Sequence, residues 1–122
     1  MSDTRGETGL PADYPLDDDR EVTPAELRDR LQGVRLIDCR LPREHELTRI
    51  RGGGELMPVQ EFDAHLPAVA ADQSKPIVVY CRSGQRSLAF VQKCRAAGVP
   101  DVKSLAGGVL AWNAMTGEGP QY

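Results

Sequence analysis

Apolar residues along this chain fall into two patterns, short unbroken runs and residues repeating every three or four positions, and the two alternate. Ile77-Val78-Val79-Tyr80-Cys81 is the strongest run: three β-branched residues and a tyrosine, opened by Lys75-Pro76, predict a strand buried on both faces and ending at Cys81. Val34 to Cys39 and Val102 to Leu105 predict two further strands, with a shorter one at Glu21-Val22. Between them lie helical spacings. Thr23-Pro24-Ala25-Glu26 carries a capping residue, a proline at the first helical position and a box-closing glutamate, ahead of Leu27 and Leu31; Gly33 ends that helix. Phe62 and Leu66 predict a short helix stopping before Pro67, and Ser87 to Ala97 predict one stopping at Gly98. Val109, Trp112 and Met115 mark the last. Strands alternating with helices imply an α/β fold of three layers, a central parallel sheet with helices on both faces, whose ligands bind beyond the carboxyl ends of the strands.

The carboxyl end of the central strand is accordingly the place for a site. Cys81 stands where the strand gives way to a loop and then a helix start, so unpaired N–H groups and the positive end of a helix dipole face its sulfur. Arg82 and Arg86 add positive charge, and Gly84 lets successive N–H groups curl inward around an anion. Together these predict a thiol pKa below its free value of roughly 8.5. A cysteine packed at the end of a core strand is the plainer alternative, and the flanking arginines, glycine and helix start argue against it.

The loop Cys81-Arg82-Ser83-Gly84-Gln85-Arg86-Ser87 resembles the active-site loop of single-domain rhodanese-type sulfurtransferases. The resemblance extends to Asp38, Arg40, Pro42, Glu44, Ile50 and Gly52, with departures at His45, Thr48, Arg49, Arg51 and Gly53, and to Gly107, Gly108 and Trp112 near the end. It implies a rhodanese-like domain in which Cys81 carries a sulfane sulfur and Arg82, Ser83, Gly84, Gln85, Arg86 and Ser87 bind the donor. Asp38, Arg40, Gly107 and Gly108 would share the same rim, the first two as a bracing ion pair and the glycines for close backbone approach. His45 in place of an aromatic implies lost packing. Arg49 and Arg51 imply either a solvated basic loop or a rim that attracts an anionic donor. The implied reaction takes sulfur from thiosulfate or a persulfide to a thiol or cyanide-like acceptor, with a sulfur-carrier protein as a further partner and neither a metal nor an organic cofactor. Related phosphatases place one more residue between cysteine and arginine; here four intervene, which disfavours a phosphatase or arsenate-reductase-like enzyme. A non-catalytic regulatory or interaction module of the same fold is the remaining alternative, disfavoured because the cysteine and both arginines are present.

Composition narrows the rest. The chain has 122 residues, enough for one unstapled core, and a net charge of −3 without a long basic run, which argues for a small partner rather than nucleic acid. Three cysteines and an amino-terminal stretch without an apolar segment suggest a reducing, cytoplasmic setting and no membrane span. Cysteines and histidines show no metal-ligand spacing. Cys39 and Cys94 are expected to pack as small hydrophobes, with a resolving role for Cys39 as the alternative. His65 is expected at the surface. Residues 1–19, rich in Asp, Gly, Pro and Thr, are expected to form a mobile tail ahead of a domain over 20–122.

Overall fold

The computed structural model describes residues 6–120. Ten elements alternate in order: β1 (Glu21–Val22), α1 (Pro24–Arg30), β2 (Arg35–Asp38), α2 (Pro42–Leu47), β3 (Glu55–Leu56), α3 (Phe62–Ala71), β4 (Ile77–Tyr80), α4 (Gln85–Ala96), β5 (Val102–Leu105) and α5 (Gly108–Thr116). The strands form one sheet in the order β1-β5-β4-β2-β3, and every pairing is parallel. This is the expected α/β architecture.

β4 lies at the centre and is buried along its whole length because its residues serve both faces. Ile77 and Val79 point with Cys81 into a core shared with Ile37, Phe62, Phe90 and Val91, beneath α3 and α4. Val78 and Tyr80 point the other way, into a core with Leu27, Leu105, Val109 and Trp112 beneath α1 and α5. The unbroken apolar run is therefore two alternating half-faces, each covered by helices.

Local chemistry sets the helix ends. Thr23 Oγ1 accepts from the Glu26 N–H at 3.1 Å while Glu26 Oε1 accepts from the Thr23 N–H at 3.0 Å, the reciprocal cap expected for α1. Two boundaries differ from expectation. α3 does not stop before Pro67 but runs through it to Ala71. Phe62, set edge-on against Phe90 at 5.0 Å, and fully buried Val69 anchor the two ends of that helix in one core, and this tertiary burial outweighs the proline's lost N–H. α4 begins at Gln85, two residues before the expected Ser87, because Gly84 adopts φ +106° and its carbonyl already accepts the Leu88 N–H at 3.2 Å.

Of the mobile tail expected over 1–19, the described part packs against the domain. Leu10 is 2% exposed and packs with Ala106 and Ala111, flanked by Tyr14 and Leu16. The Tyr14 hydroxyl donates to Glu21 Oε2 at 3.2 Å and accepts from the Gly107 N–H at 3.1 Å. A few well-placed apolar and aromatic side chains suffice to dock a segment whose average composition reads as tail. Residues 1–5 lie outside the described residues.

Candidate active site

The carboxyl end of β4 delivers Cys81 to the floor of a loop whose backbone is turned inside out by α5. Val109 N–H donates to Cys81 O at 2.9 Å and Leu110 N–H to Arg82 O at 3.1 Å, so the first turn of α5 draws the loop carbonyls outward. The contact is so close that a Cβ on Gly108 (φ +62°) would lie 2.3 Å from Arg82 O. With the carbonyls held outside, N–H groups face the sulfur. Gly84 N–H donates to Cys81 Sγ at 3.1 Å and Ser87 N–H at 3.4 Å, the latter from the open first turn of α4.

Side chains complete the cradle. Ser87 Oγ lies 3.4 Å from Cys81 Sγ and 2.7 Å from Ser104 Oγ, all of them buried. A thiolate can only accept, and the one Ser87 hydroxyl proton has two acceptors in reach, Cys81 Sγ and Gly84 O at 3.2 Å; directed at the thiolate, it leaves Ser87 Oγ to accept from the Ser104 hydroxyl. On the neighbouring strand end, the Cys39 thiol lies beside Cys81. The Cys81 pKa falls to about 5, first because of hydrogen bonding from Cys39 and then because of the Ser87 hydroxyl, the Ser87 N–H and the Gly84 N–H, against an opposing push from burial. The Cys39 pKa moves far upward for the reciprocal reason, since its proton is shared with an anion and its own site is buried. The proton of the pair therefore rests on Cys39. Cys94 is remote from this exchange, and burial alone raises its thiol to about 11.

The arginines divide. Arg86 is clamped by Glu44 through two parallel bonds, Nη1 to Oε1 at 2.7 Å and Nη2 to Oε2 at 2.8 Å, which lowers the Glu44 pKa to about 2. Glu44 Oε1 also accepts the Leu41 N–H at 3.0 Å, so the clamp ties α4 to the start of α2. Arg82 is exposed and has no ion-pair partner among the described residues. Ser83 and Gln85 are exposed as well, on the outer surface of the loop.

Asp38 and Arg40 do not reach the sulfur. Asp38 is fully buried and Arg40 2% exposed, with Nε to Oδ1 at 2.9 Å and Nη2 to Oδ2 at 2.8 Å; the guanidinium lies 5.3 Å over the Tyr80 ring, on the opposite face of the sheet from Cys81. His45 Nδ1 joins them at 2.7 Å from Asp38 Oδ2. His45 thus replaces apolar packing with a contact to a buried carboxylate. The basic segment is not a rim over the site. Arg51 pairs with Glu118, Nε to Oε2 at 2.7 Å, stacks 5.5 Å over Trp112, and borders a cleft with Gln32 and Gly33 at the amino end of β2. Arg49 is exposed and donates to His45 O at 3.0 Å. His65, 3.3 Å from Glu61 Oε1, sits on the exposed side of α3.

The sequence named Cys39 only as an alternative resolving cysteine and did not single out Ser104 or the Glu44 clamp as parts of the site. Two signals were available: Cys39 and Cys81 end adjacent strands on the same alternating face, and Ser104 is a hydroxyl on an otherwise apolar inward face of β5. Both required the strand order.

The Rhodanese-like domain family model matches residues 23–115. The chain belongs to that family. Among relatives of the rhodanese-like domain, the probable adenylyltransferase/sulfurtransferase MoeZ of Mycobacterium tuberculosis is 35% identical over 94 residues, covering 75% of this chain and 24% of MoeZ. This chain therefore spans about a quarter of that relative's length. Thiosulfate sulfurtransferase GlpE of Pseudomonas paraeruginosa is 30% identical over 99 residues, 79% of this chain and 86% of GlpE. Among solved structures, a rhodanese-related protein from Thermoplasma volcanium superimposes with a TM-score of 0.71 at 23% identity, covering 83% of this chain and 95% of that one, which matches the fold. The rhodanese-like family to which the chain belongs thus includes sulfurtransferases. Among the described residues, no helix is long and apolar enough to cross a membrane and no cluster of side chains has the make-up of a metal site.

Proposed function

We propose that this rhodanese-like protein moves a sulfane sulfur from thiosulfate or a persulfide to a thiophilic acceptor through a persulfide on Cys81. The observation that carries this reading is the cradle of donors around Cys81 Sγ, made by Gly84 N–H, Ser87 N–H and the Ser87 hydroxyl. It holds the nucleophile as an anion at neutral pH, and its inward N–H groups suit the terminal anion of a persulfide just as well.

In the first half-reaction the Cys81 thiolate attacks the outer sulfur of thiosulfate. The new Cys81–sulfur bond forms as the donor's sulfur–sulfur bond breaks, and sulfite leaves with the electron pair. In the second, cyanide or a thiolate attacks the terminal sulfur and Cys81 departs as the thiolate. No proton needs to be moved at the sulfur in either step. Arg82, exposed at the loop mouth without a carboxylate partner, is the group suited to the sulfonate end of the donor. Arg86 is a positioning residue: its guanidinium is committed to Glu44 and it holds the loop in shape. Asp38 and Arg40 brace the strand end from the opposite face, while Gly108 lets α5 approach the loop and Gly107 leaves room for Leu10 and Ala111. Donor and acceptor are small molecules, with a sulfur-carrier protein as an alternative acceptor, and a cytoplasmic setting fits three free thiols.

A non-catalytic module would have no use for a thiol held as an anion against the cost of its burial. The test is thiocyanate formation from thiosulfate and cyanide. Wild-type protein forms it and Cys81→Ser does not; thiocyanate formation retained by Cys81→Ser contradicts the assignment.

A further inference from the structure

Transfer through Cys81 leaves one nucleophile beside it without a covalent role. Cys39 directly follows β2 and Cys81 directly follows β4, and the parallel register that pairs Asp38 with Tyr80 sets the two cysteines opposite one another. Cys39 N–H still donates to Tyr80 O at 3.0 Å, so the strands remain paired to that point. Both side chains enter the same core cluster beneath α3 and α4, and both are free thiols. Adjacent strands run about 4.7–4.9 Å apart, within the separation of about 4.4–6.8 Å that a disulfide spans between Cα atoms. The carbonyls of both cysteines are held, Cys39 O by Val59 N–H at 3.0 Å and Cys81 O by Val109 N–H at 2.9 Å, so the bond forms by rotation of the two side chains.

Burial gives this pairing a consequence. Cys39 is 0% and Cys81 1% exposed, so an acceptor from solvent must enter through the loop mouth, whereas Cys39 is already in place. We propose that Cys39 discharges the Cys81 persulfide from within: its sulfur attacks Cys81 Sγ, a Cys39–Cys81 disulfide forms, and the terminal sulfur leaves as hydrosulfide. This step rests on the persulfide cycle proposed above and supplies that cycle with a second exit. The bond broken joins Cys81 Sγ to the terminal sulfur, whose electron pair leaves with it, and the Cys39 proton ends on the departing sulfur. The sulfane sulfur is reduced by two electrons and the two thiols are oxidised by two, so no outside oxidant is needed. The proton on Cys39 is held largely by the Cys81 thiolate, and loading Cys81 moves that charge one atom outward, toward the loop N–H groups. An external dithiol then reduces the disulfide, becoming a disulfide itself, and closes the cycle, which makes a dithiol the chemical class of the reductant.

The experiment mixes thiosulfate with wild-type, Cys39→Ser and Cys39→Val proteins without cyanide or reductant, then measures sulfite, sulfide and intact mass over time. The wild type is expected to release sulfite and then a matching amount of sulfide, and to end lighter by two hydrogens with Cys39 and Cys81 linked in one peptide pair. Both variants are expected to load more slowly, keep the added sulfur and release no sulfide. Sulfur retained by the wild type as long as by the variants, or a disulfide reaching Cys94, overturns the internal discharge and leaves the persulfide cycle standing. Failure of every protein, the wild type included, to take sulfur from thiosulfate and release sulfite overturns both.

Discussion

At the scale of single residues, hydrogen-bond donors placed around the Cys81 sulfur, rather than massed charge, lower its pKa. The arginines flanking Cys81 suggest direct electrostatic lowering of its pKa, yet one is neutralised by Glu44 and the other faces solvent. The leading causes are the Cys39 thiol, the Ser87 hydroxyl and N–H, and the Gly84 N–H. Alkylation of Cys81 should therefore show a midpoint near pH 5 in the wild type. Cys39→Val and Ser87→Ala should raise it, and Arg82→Ala should leave it in place; a shift in Arg82→Ala as large as in Cys39→Val would return the credit to charge. Linkage gives the sign for stability. A thiol pKa lowered on folding stabilises the fold fully above its unfolded value and loses that contribution as the pH drops through about 5, so the advantage over Cys81→Ala should shrink along that path.

The two arginines can be told apart by donor. Arg82→Ala should weaken thiosulfate use by about ten- to over a hundredfold in kcat/KM, the worth of a charge-assisted contact of about 1.5–3 kcal/mol, while sparing a donor uncharged near its reacting sulfur. Arg86→Ala should depress both donors together, because it releases the loop from Glu44 rather than removing a substrate contact. Equal losses for both donors in Arg82→Ala would remove the donor-binding role from that residue.

Among elements, the decisive contact lies between the Cys81 loop and the first turn of α5. Gly108→Ala should cost about 3 kcal/mol or more in urea unfolding, since its Cβ would meet Arg82 O at 2.3 Å and its backbone is left-handed. Asp38→Asn should cost about 3–5 kcal/mol, because Arg40 is then left as a buried charge with half its partner gone. A variant at either position with wild-type stability would show that the contact is slack.

Much of this was legible in the sequence. The run at β4, the capping box of α1, the glycine pair that opens α5 and the strand-loop-helix setting of Cys81 are local signals, and local signals survive folding. Pro67 inside α3 and the clasp of His45 on Asp38 were not legible, and the placement of Cys39 against Cys81 was legible only as an alternative, because each is decided by a partner distant along the chain or across the sheet. The start of α4 at Gln85 is a smaller case. Opening at Gln85 makes Ser87 the third residue of the helix, still among the free donors of the first turn, and its N–H reaches the sulfur from there.

For the whole molecule, the sheet carries its candidate site at the carboxyl ends of its strands, where a parallel α/β sheet binds ligands, and the amino-terminal segment packs at that end. Leu10 and Tyr14 brace Gly107, the residue before α5, so a segment of tail-like composition supports the loop from behind. Leu10→Ala should cost about 2–5 kcal/mol in equilibrium unfolding. A loss no larger than that of an exposed leucine such as Leu47, 67% exposed, would mean that the segment is not docked in solution.

The most direct measurement of the central claim is sulfite release in the first seconds after thiosulfate is mixed with the reduced protein, without any acceptor. Sulfite appears when the Cys81 thiolate takes the outer sulfur, whatever later becomes of that sulfur. The account predicts a single burst equivalent to the protein present from the wild type and none from Cys81→Ser. A burst that survives Cys81→Ser, or a wild type that releases no sulfite, would contradict it.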